Sequence, residues 1–225
     1  MNDVHTSALV WLRRDLRCHD HAALFHALKN ARKVWCAFVF DTDILDALPR
    51  QDRRVAFIRE SLEELDGSLR VLAANAAAPS PAQVGLIVRH GPARQELPKL
   101  AAQLGVQAVY AAHDDEPYAL QRDAQVRGAL SDIGAALYTL KDHVVFERNE
   151  VLTGNDTPYG VFTPYKNAWL KKLEPFYVKP YPVAKYAAHL APIPAAVCPP
   201  ELPRVPSLPD LDFAPVDTLK VAPGT

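Results

Sequence analysis

The sequence predicts an α/β fold: a doubly wound, five-stranded parallel sheet of Rossmann-like type, followed by a proline-rich linker. Three observations predict it. Apolar runs of strand length alternate with helical periodicity across the first 140 residues. The first run, Ala8 to Leu12, is continuously apolar, as in a strand covered by helices on both faces. From Pro175 onward the chain holds twelve of its twenty prolines and almost no periodicity, the pattern of an extended wrapping segment.

Each element follows in order. Strand one runs into the charged cluster Arg13, Arg14, Asp15 and Arg17, whose three arginines and one aspartate leave positive charge uncompensated. Asp20 is expected to cap the next helix, His21 to Ala31, in which Ala22, Leu24, Phe25 and Leu28 are helically spaced. Lys33 to Phe40 is strand two, reached by a right-handed crossover, and a polar loop (DTDILDALPRQDRR) follows it. Ile58, Leu62, Leu65, Leu69 and Leu72 form the clearest amphipathic helical stripe. Strand three is Gly85 to His90, and the next helix, Leu97 to Leu104, closes on Gly105 with Pro98 in its first turn or at a kink. Val106 to Ala111 is strand four, Pro117 to Ile133 a helix ended by Gly134, and Ala135 to Leu140 strand five. Phe162 to Leu173 reads as a short helix with Thr163 as N-cap and Pro164 at its first position. The expected organisation is therefore an α/β domain over 1–141, an extension over 142–174, and a linker over 175–225 that packs irregularly on the surface or is mobile.

Composition narrows the function. Twenty-five basic against 26 acidic side chains give a net charge of −1, which does not suggest a dedicated nucleic-acid-binding domain. Three cysteines without C-x-x-C spacing argue against a disulfide framework or zinc site and fit a reducing cytoplasm. No apolar segment reaches membrane-spanning length. G-x-G-x-x-G after strand one, G-x-x-x-x-G-K-[ST], G-x-S-x-G and H-E-x-x-H are all absent, so dinucleotide, P-loop, hydrolase and zinc-protease readings lack their defining feature. The histidines His19, His21, His26, His90, His113, His143 and His189 read as surface or loop residues without a metal role.

Ligands of open α/β sheets bind beyond the carboxyl ends of the strands. There the sequence places Val39, Phe40 and Asp41 after strand two, with Arg54 opening the long helix. After strand four come His113, Asp114, Asp115, Glu116, Pro117 and Tyr118, and one turn later Arg122 and Asp123. Carboxylates beside arginines, with a ring available to stack, suit a planar heterocycle. The structural alternative is that Asp114 and Asp115 cap a helix, Glu116 meets its dipole, and Arg122 with Asp123 forms a solvated face. On chemistry alone that alternative takes precedence.

The run W-x-R-x-D-L-R-x-x-D (Trp11, Arg13, Asp15, Leu16, Arg17, Asp20) resembles the opening of the DNA photolyase and cryptochrome family, most closely bacterial class I deoxyribodipyrimidine photolyases. Asp114 to Asp123 (DDEPYALQRD) resembles the family's D-x-E-P-Y-x-x-x-R-D. Thr153-Gly154 and Tyr159 to Tyr165, with Trp169 and Leu170, resemble its T-G … Y-x-V-[FY]-T-P-[FY]-x-x-x-W-L segment. The resemblance implies that Val39, Phe40, Asp41, Arg54, Asp114, Glu116, Tyr118 and Arg122 line an antenna-chromophore pocket, with no catalytic or metal-binding residue in this chain. It implies a deazaflavin (8-HDF type) as first choice and methenyltetrahydrofolate or a flavin as second, because Tyr118 and Ala119 stand where folate-binding members carry Asn-Glu. It further implies a separate C-terminal helical domain that binds FAD and UV-damaged DNA. The chain looks truncated before that domain, so this portion alone is expected to be inactive and no strong nucleic-acid binder. Three readings follow: the light-harvesting domain of a deoxyribodipyrimidine photo-lyase, a cryptochrome-like blue-light photoreceptor, or, setting the resemblance aside, a stand-alone nucleotide-binding or electron-transfer domain.

Overall fold

In the computed structural model, residues 5–199 and 203–216 are described. Five parallel strands, β1 (His5–Leu12), β2 (Ala31–Asp41), β3 (Leu86–Gly91), β4 (Ala108–Ala112) and β5 (Ala136–Leu140), lie in the order β3-β2-β1-β4-β5. The expected fold is present, with β1 central: Leu9 and Val10 have no exposure and Trp11 has 2%.

Alternation along the strands divides the interior into two layers. Val10, Val34, Phe38 and Phe40 face one side and pack with α1 (Ala22–Asn30) and α3 (Arg53–Asn75). Leu9, Trp11, Val39 and Val109 face the other and pack with α4 (Ala93–Leu104) and α5 (Pro117–Asp132). The α3 stripe is as expected, with Leu62, Leu65 and Leu69 fully buried. Asp66, beside that stripe, is also buried: its Oδ1 accepts the Leu86 N–H at 2.8 Å, so an acid on a helix holds the first residue of β3. A Cβ at Gly85 would collide with Asp66 Oδ1 and Arg204 Nη1, so any larger residue there would have to displace these side-chain ends.

Several local expectations are corrected. His21, not Asp20, caps α1, its Nδ1 accepting the Leu24 N–H at 3.1 Å. His21 is fully buried rather than a surface residue, while Asp20 Oδ1 accepts the Tyr181 N–H of the tail. The polar loop after β2 contains a four-residue helix, α2 (Thr42–Leu45), capped by Asp41. The helix α4 begins at Ala93, which puts Pro98 beyond the first turn and leaves the Arg94 carbonyl without its intrahelical donor. The helix α6 (Phe162–Lys172) starts one residue before Thr163, with Val161 at the N-cap and no side-chain cap.

The proline-rich tail is irregular, as expected, but it is also part of the interior. Among the described residues Val183, Ala187, Leu190, Val205, Leu211 and Phe213 are buried. The cause lies in β2, which starts five residues before its first pairing with β3 at Cys36–Leu86. The tail fills the uncovered edge: Leu190 forms a parallel bridge with Val34, Ala191 N–H donates to the Val34 carbonyl at 2.9 Å, and Ile193 N–H to Gln83 at 3.0 Å. The parts of the expected linker at 200–202 and 217–225 lie outside the described residues. Among the described residues no helix is long and apolar enough to cross a membrane.

Candidate functional site

The chain turns back on itself at β1: β2 and β3 lie on one side, β4 and β5 on the other. Doubly wound sheets open a crevice at such a switch point. Here it is a slot of about 180 Å³ at the carboxyl edge. Its walls are Trp11, Phe38, Phe40, Leu45, Ile58 and Ala119, and its rim carries Arg14, Asp114, Glu116 and Tyr118.

Charge in the wall is balanced internally. Arg13 Nη1 donates to both oxygens of Asp123 at 2.7 and 2.8 Å, and its Nη2 donates to the Ala112 carbonyl. Arg122, only 7% exposed, donates from Nε and Nη2 to Asp123 Oδ1 at 3.2 and 3.1 Å. Both guanidiniums lie on the Trp11 ring, 4.5 and 4.8 Å from its centroid. Asp41 is equally committed, since Oδ1 accepts from Ala93 N–H at 3.0 Å and Asp43 N–H at 3.3 Å, and Oδ2 accepts from the Tyr118 hydroxyl at 3.0 Å. Two arginines against Asp41 and Asp123 leave a neutral wall. Burial, then the hydrogen bond to Asp41 and its charge, raise the Tyr118 phenol above its ordinary pKa.

Below the rim, Asp15 fixes the β1–α1 loop. It is 2% exposed, and its Oδ1 accepts the Arg13 N–H at 2.7 Å. Its Oδ2 lies 2.9 Å from His21 Nε2, and Asp142 ties down the neighbouring Ala22 N–H and Arg17. Burial alone would raise the Asp15 carboxyl. The contact with His21 and the Arg13 amide outweigh it and bring the pKa down to about 2. Because His21 Nδ1 accepts a backbone N–H, the neutral ring carries its proton on Nε2, toward Asp15, so this trio of Asp15, His21 and Asp142 offers no free imidazole lone pair to a metal.

Of the residues named from sequence, Val39, Phe40, Asp41, Asp114, Glu116, Tyr118 and Arg122 all line the slot. Arg54 is not brought into it. Its side chain, 71% exposed, is drawn onto Asp52, the N-cap of α3, with Nη2 to Oδ2 at 2.5 Å. Arg122 departs from the solvated-face alternative, being buried. Asp114 and Glu116 are held loosely by Arg14, at 3.5 and 3.8 Å, and Glu116 remains exposed. Sequence reading missed Trp11 and Arg13 as site residues although both stood in the opening motif. It also missed Phe38, Ile44, Leu45 and Ile58, whose apolar character gives no sign of which end of the sheet they cover.

A family model described as DNA photolyase matches residues 8–186. The deoxyribodipyrimidine photo-lyase of Synechococcus sp. (strain PCC 6301) is 32% identical over 176 residues, 78% of this chain and 33% of its own. An uncharacterized 31.6 kDa protein of Synechococcus sp. (strain PCC 6716) is 31% identical over 220 residues, 96% of this chain and 70% of its own. Among solved structures, an archaeal photolyase from Sulfolobus tokodaii, described with two FAD molecules and a novel light-harvesting cofactor, superposes with a TM-score of 0.54 at 26% identity, over 64% of this chain and 32% of that one. The chain thus spans about a third of the photo-lyases it matches and more than two thirds of the uncharacterized relative. With the match covering most of its length and the same sheet beneath it, the chain belongs to the DNA photolyase family.

Proposed function

We propose that this chain is the light-harvesting part of a deoxyribodipyrimidine photo-lyase, and that the carboxyl-edge slot holds the ring system of its antenna chromophore. The observation that carries this reading is the slot itself: an apolar, aromatic, charge-neutral crevice at the switch point of the sheet. Its 180 Å³ is below the ~300 to 1,000 Å³ of pockets that enclose a whole ligand. The fit is therefore to part of a planar ring system, with the substituents lying along the rim. Residues Trp11, Phe38 and Phe40 would contact the ring and exclude water. The Val39 to Asp41 backbone, Asp114, Glu116, Tyr118 and Arg14 would meet its polar edge. Asp41, Asp123 and Arg122 would keep those walls in place, because Arg122 is bonded to Asp123 and Asp41 to the Ala93 and Asp43 amides and the Tyr118 hydroxyl.

The bound chromophore would supply absorption of near-ultraviolet or blue light and pass the excitation to FAD. A deazaflavin of the 8-HDF type is the first choice, with a flavin or methenyltetrahydrofolate next. The Sulfolobus relative supports a second pigment in the family without fixing its type here. We further infer that FAD and damaged DNA belong to a helical domain beyond this α/β unit, and that the full-length enzyme works in the cytoplasm. Support for such a partner domain comes from α6 and its surroundings, where Val161, Phe162, Leu170, Phe176 and Val178 are more than half exposed and α6 buries no residue.

Titrating the protein with each pigment tests the reading. A deazaflavin should bind with a red-shifted, sharpened absorption band, and Tyr118→Ala with Glu116→Ala should weaken it at least tenfold. Affinity unchanged in that double variant would reduce these residues to loop braces and remove the antenna assignment.

A further inference from the structure

Across the Tyr118 ring from the slot lies a second, smaller cavity of about 130 Å³, bordered by Asp43, Arg94, Gln121, Arg122 and Gln125. Tyr118 and Arg122 line both cavities, so these two side chains form the partition between them. They are held very differently. Arg122 is buried, bonded to Asp123 and stacked on Trp11. Tyr118 stands in the first turn of α5, 40% exposed, with its ring 5.7 Å from the Arg122 guanidinium. Its hydroxyl is held by Asp41 Oδ2 at 3.0 Å and, more weakly, by Asp43 Oδ2 at 3.4 Å. Asp43 is paired with Arg94 as well, so it keeps a partner if the phenol leaves. Tyr118 is therefore the half of the partition that can move.

Size is the first reason for it to move. The slot of about 180 Å³ takes only part of a planar ring system, whereas the two cavities joined reach the lower end of the ~300 to 1,000 Å³ of sites that enclose a small molecule. Hydrogen bonding decides what can move it. Asp41 is 6% exposed, and its Oδ1 is fixed by the Ala93 and Asp43 amides. Its Oδ2 has the Tyr118 hydroxyl at 3.0 Å, while the Arg122 guanidinium stands off at 3.9 Å, beyond hydrogen-bond reach. Withdrawing the phenol without a replacement would leave a buried carboxylate oxygen lacking its donor. A ligand that offers only apolar surface or acceptors does not offset that cost. A ligand with its own N–H at the ring edge does.

We propose that Tyr118 is a specificity-determining gate of the slot: its hydroxyl holds the place of a ring N–H on Asp41, and a planar heterocycle enters by swinging the phenol aside and donating its own imide-type N–H to Asp41 Oδ2. The inference rests on the pigment reading above and adds the chemical feature that the site selects. The Tyr118 ring stays at the rim against the pigment, which is why Tyr118→Ala weakens binding although it removes the gate.

Fluorescence titration of residues 1–225 with the deazaflavin 8-HDF, and with the same compound methylated on its imide nitrogen, tests the gate. The unmutated protein should bind the methylated compound at least tenfold more weakly. Tyr118→Phe keeps the ring and removes the latch. It should bind 8-HDF several-fold more tightly and faster, with an unaltered thermal midpoint, and should still reject the methylated compound. Equal affinity of the unmutated protein for the two compounds would overturn the gate and leave the antenna reading in place. So would a tenfold weaker affinity for 8-HDF in Tyr118→Phe, because the hydroxyl would then be a pigment contact rather than a latch. Binding of neither compound would remove the antenna reading itself, and the gate with it.

Discussion

The two ends of this sheet solve opposite problems with the same strands. At the carboxyl edge, Arg13 and Arg122 are neutralised by Asp123 and Asp41, and the aromatic slot beside them is narrow. At the amino edge Arg32, Lys33, His189 and Arg204 line a cavity four times larger with no acid among the described lining residues, and the closing element is an irregular proline-rich segment rather than a helix. The difference shows that wall charges spent on each other build shape at the carboxyl edge, while the amino edge takes its shape from the tail that closes it. Mutations of the paired wall residues at the first edge should therefore cost stability.

The largest effect is expected at Trp11. Its indole is buried at the centre of the sheet and bears both guanidiniums, so Trp11→Ala removes a core side chain and leaves two cations without their aromatic face. Destabilisation of about 3 to 5 kcal/mol is expected from the cavity alone. Denaturant unfolding measures it, and a loss below about 1 kcal/mol would mean that the carboxyl edge is not the rigid end of the molecule.

How much of this was legible in the sequence differs between the two edges for physical reasons. The carboxyl-edge residues lie in short charged runs that directly follow apolar strands, so Asp41, Asp114, Tyr118 and Arg122 were identifiable by position. Arg54 does not line the slot, because Asp52 in the polar loop before it holds the guanidinium at the start of α3 through its cap and ion pair. The amino-edge cavity was invisible. It joins Lys33 to His189 and Arg204, more than 150 residues away, through a tail whose prolines carry no periodicity. His21 was misread because histidine reads as polar, although a buried imidazole can cap a helix and meet Asp15 at once.

A pH titration sharpens the comparison with a smaller effect. The Asp15 carboxyl is held at about 2, below its ordinary 3.8, so its contribution is complete above about pH 4 and is lost as pH falls through about 2. The shift corresponds to about 2 kcal/mol, an order-of-magnitude figure for a buried group. Asp15→Asn should lower stability at neutral pH by a similar amount and flatten the slope between pH 4 and 2. A variant that kept the wild-type slope would show that other carboxylates drive acid unfolding.

The smallest effect is expected at Arg54, and it separates the structural assignment from the sequence expectation. Its guanidinium is largely exposed and its partner Asp52 keeps the α3 cap through the Arg54 backbone N–H, which substitution does not remove. Such an exposed pair is screened by water, so Arg54→Ala should leave stability nearly unchanged. It should also leave pigment affinity at the carboxyl-edge slot within twofold of wild type, in contrast to Tyr118→Ala. A tenfold loss of pigment binding in Arg54→Ala, with the thermal midpoint unchanged, would show that Arg54 leaves Asp52 when the pigment arrives. The sequence-based expectation for that residue would then be right and the slot larger than its present walls.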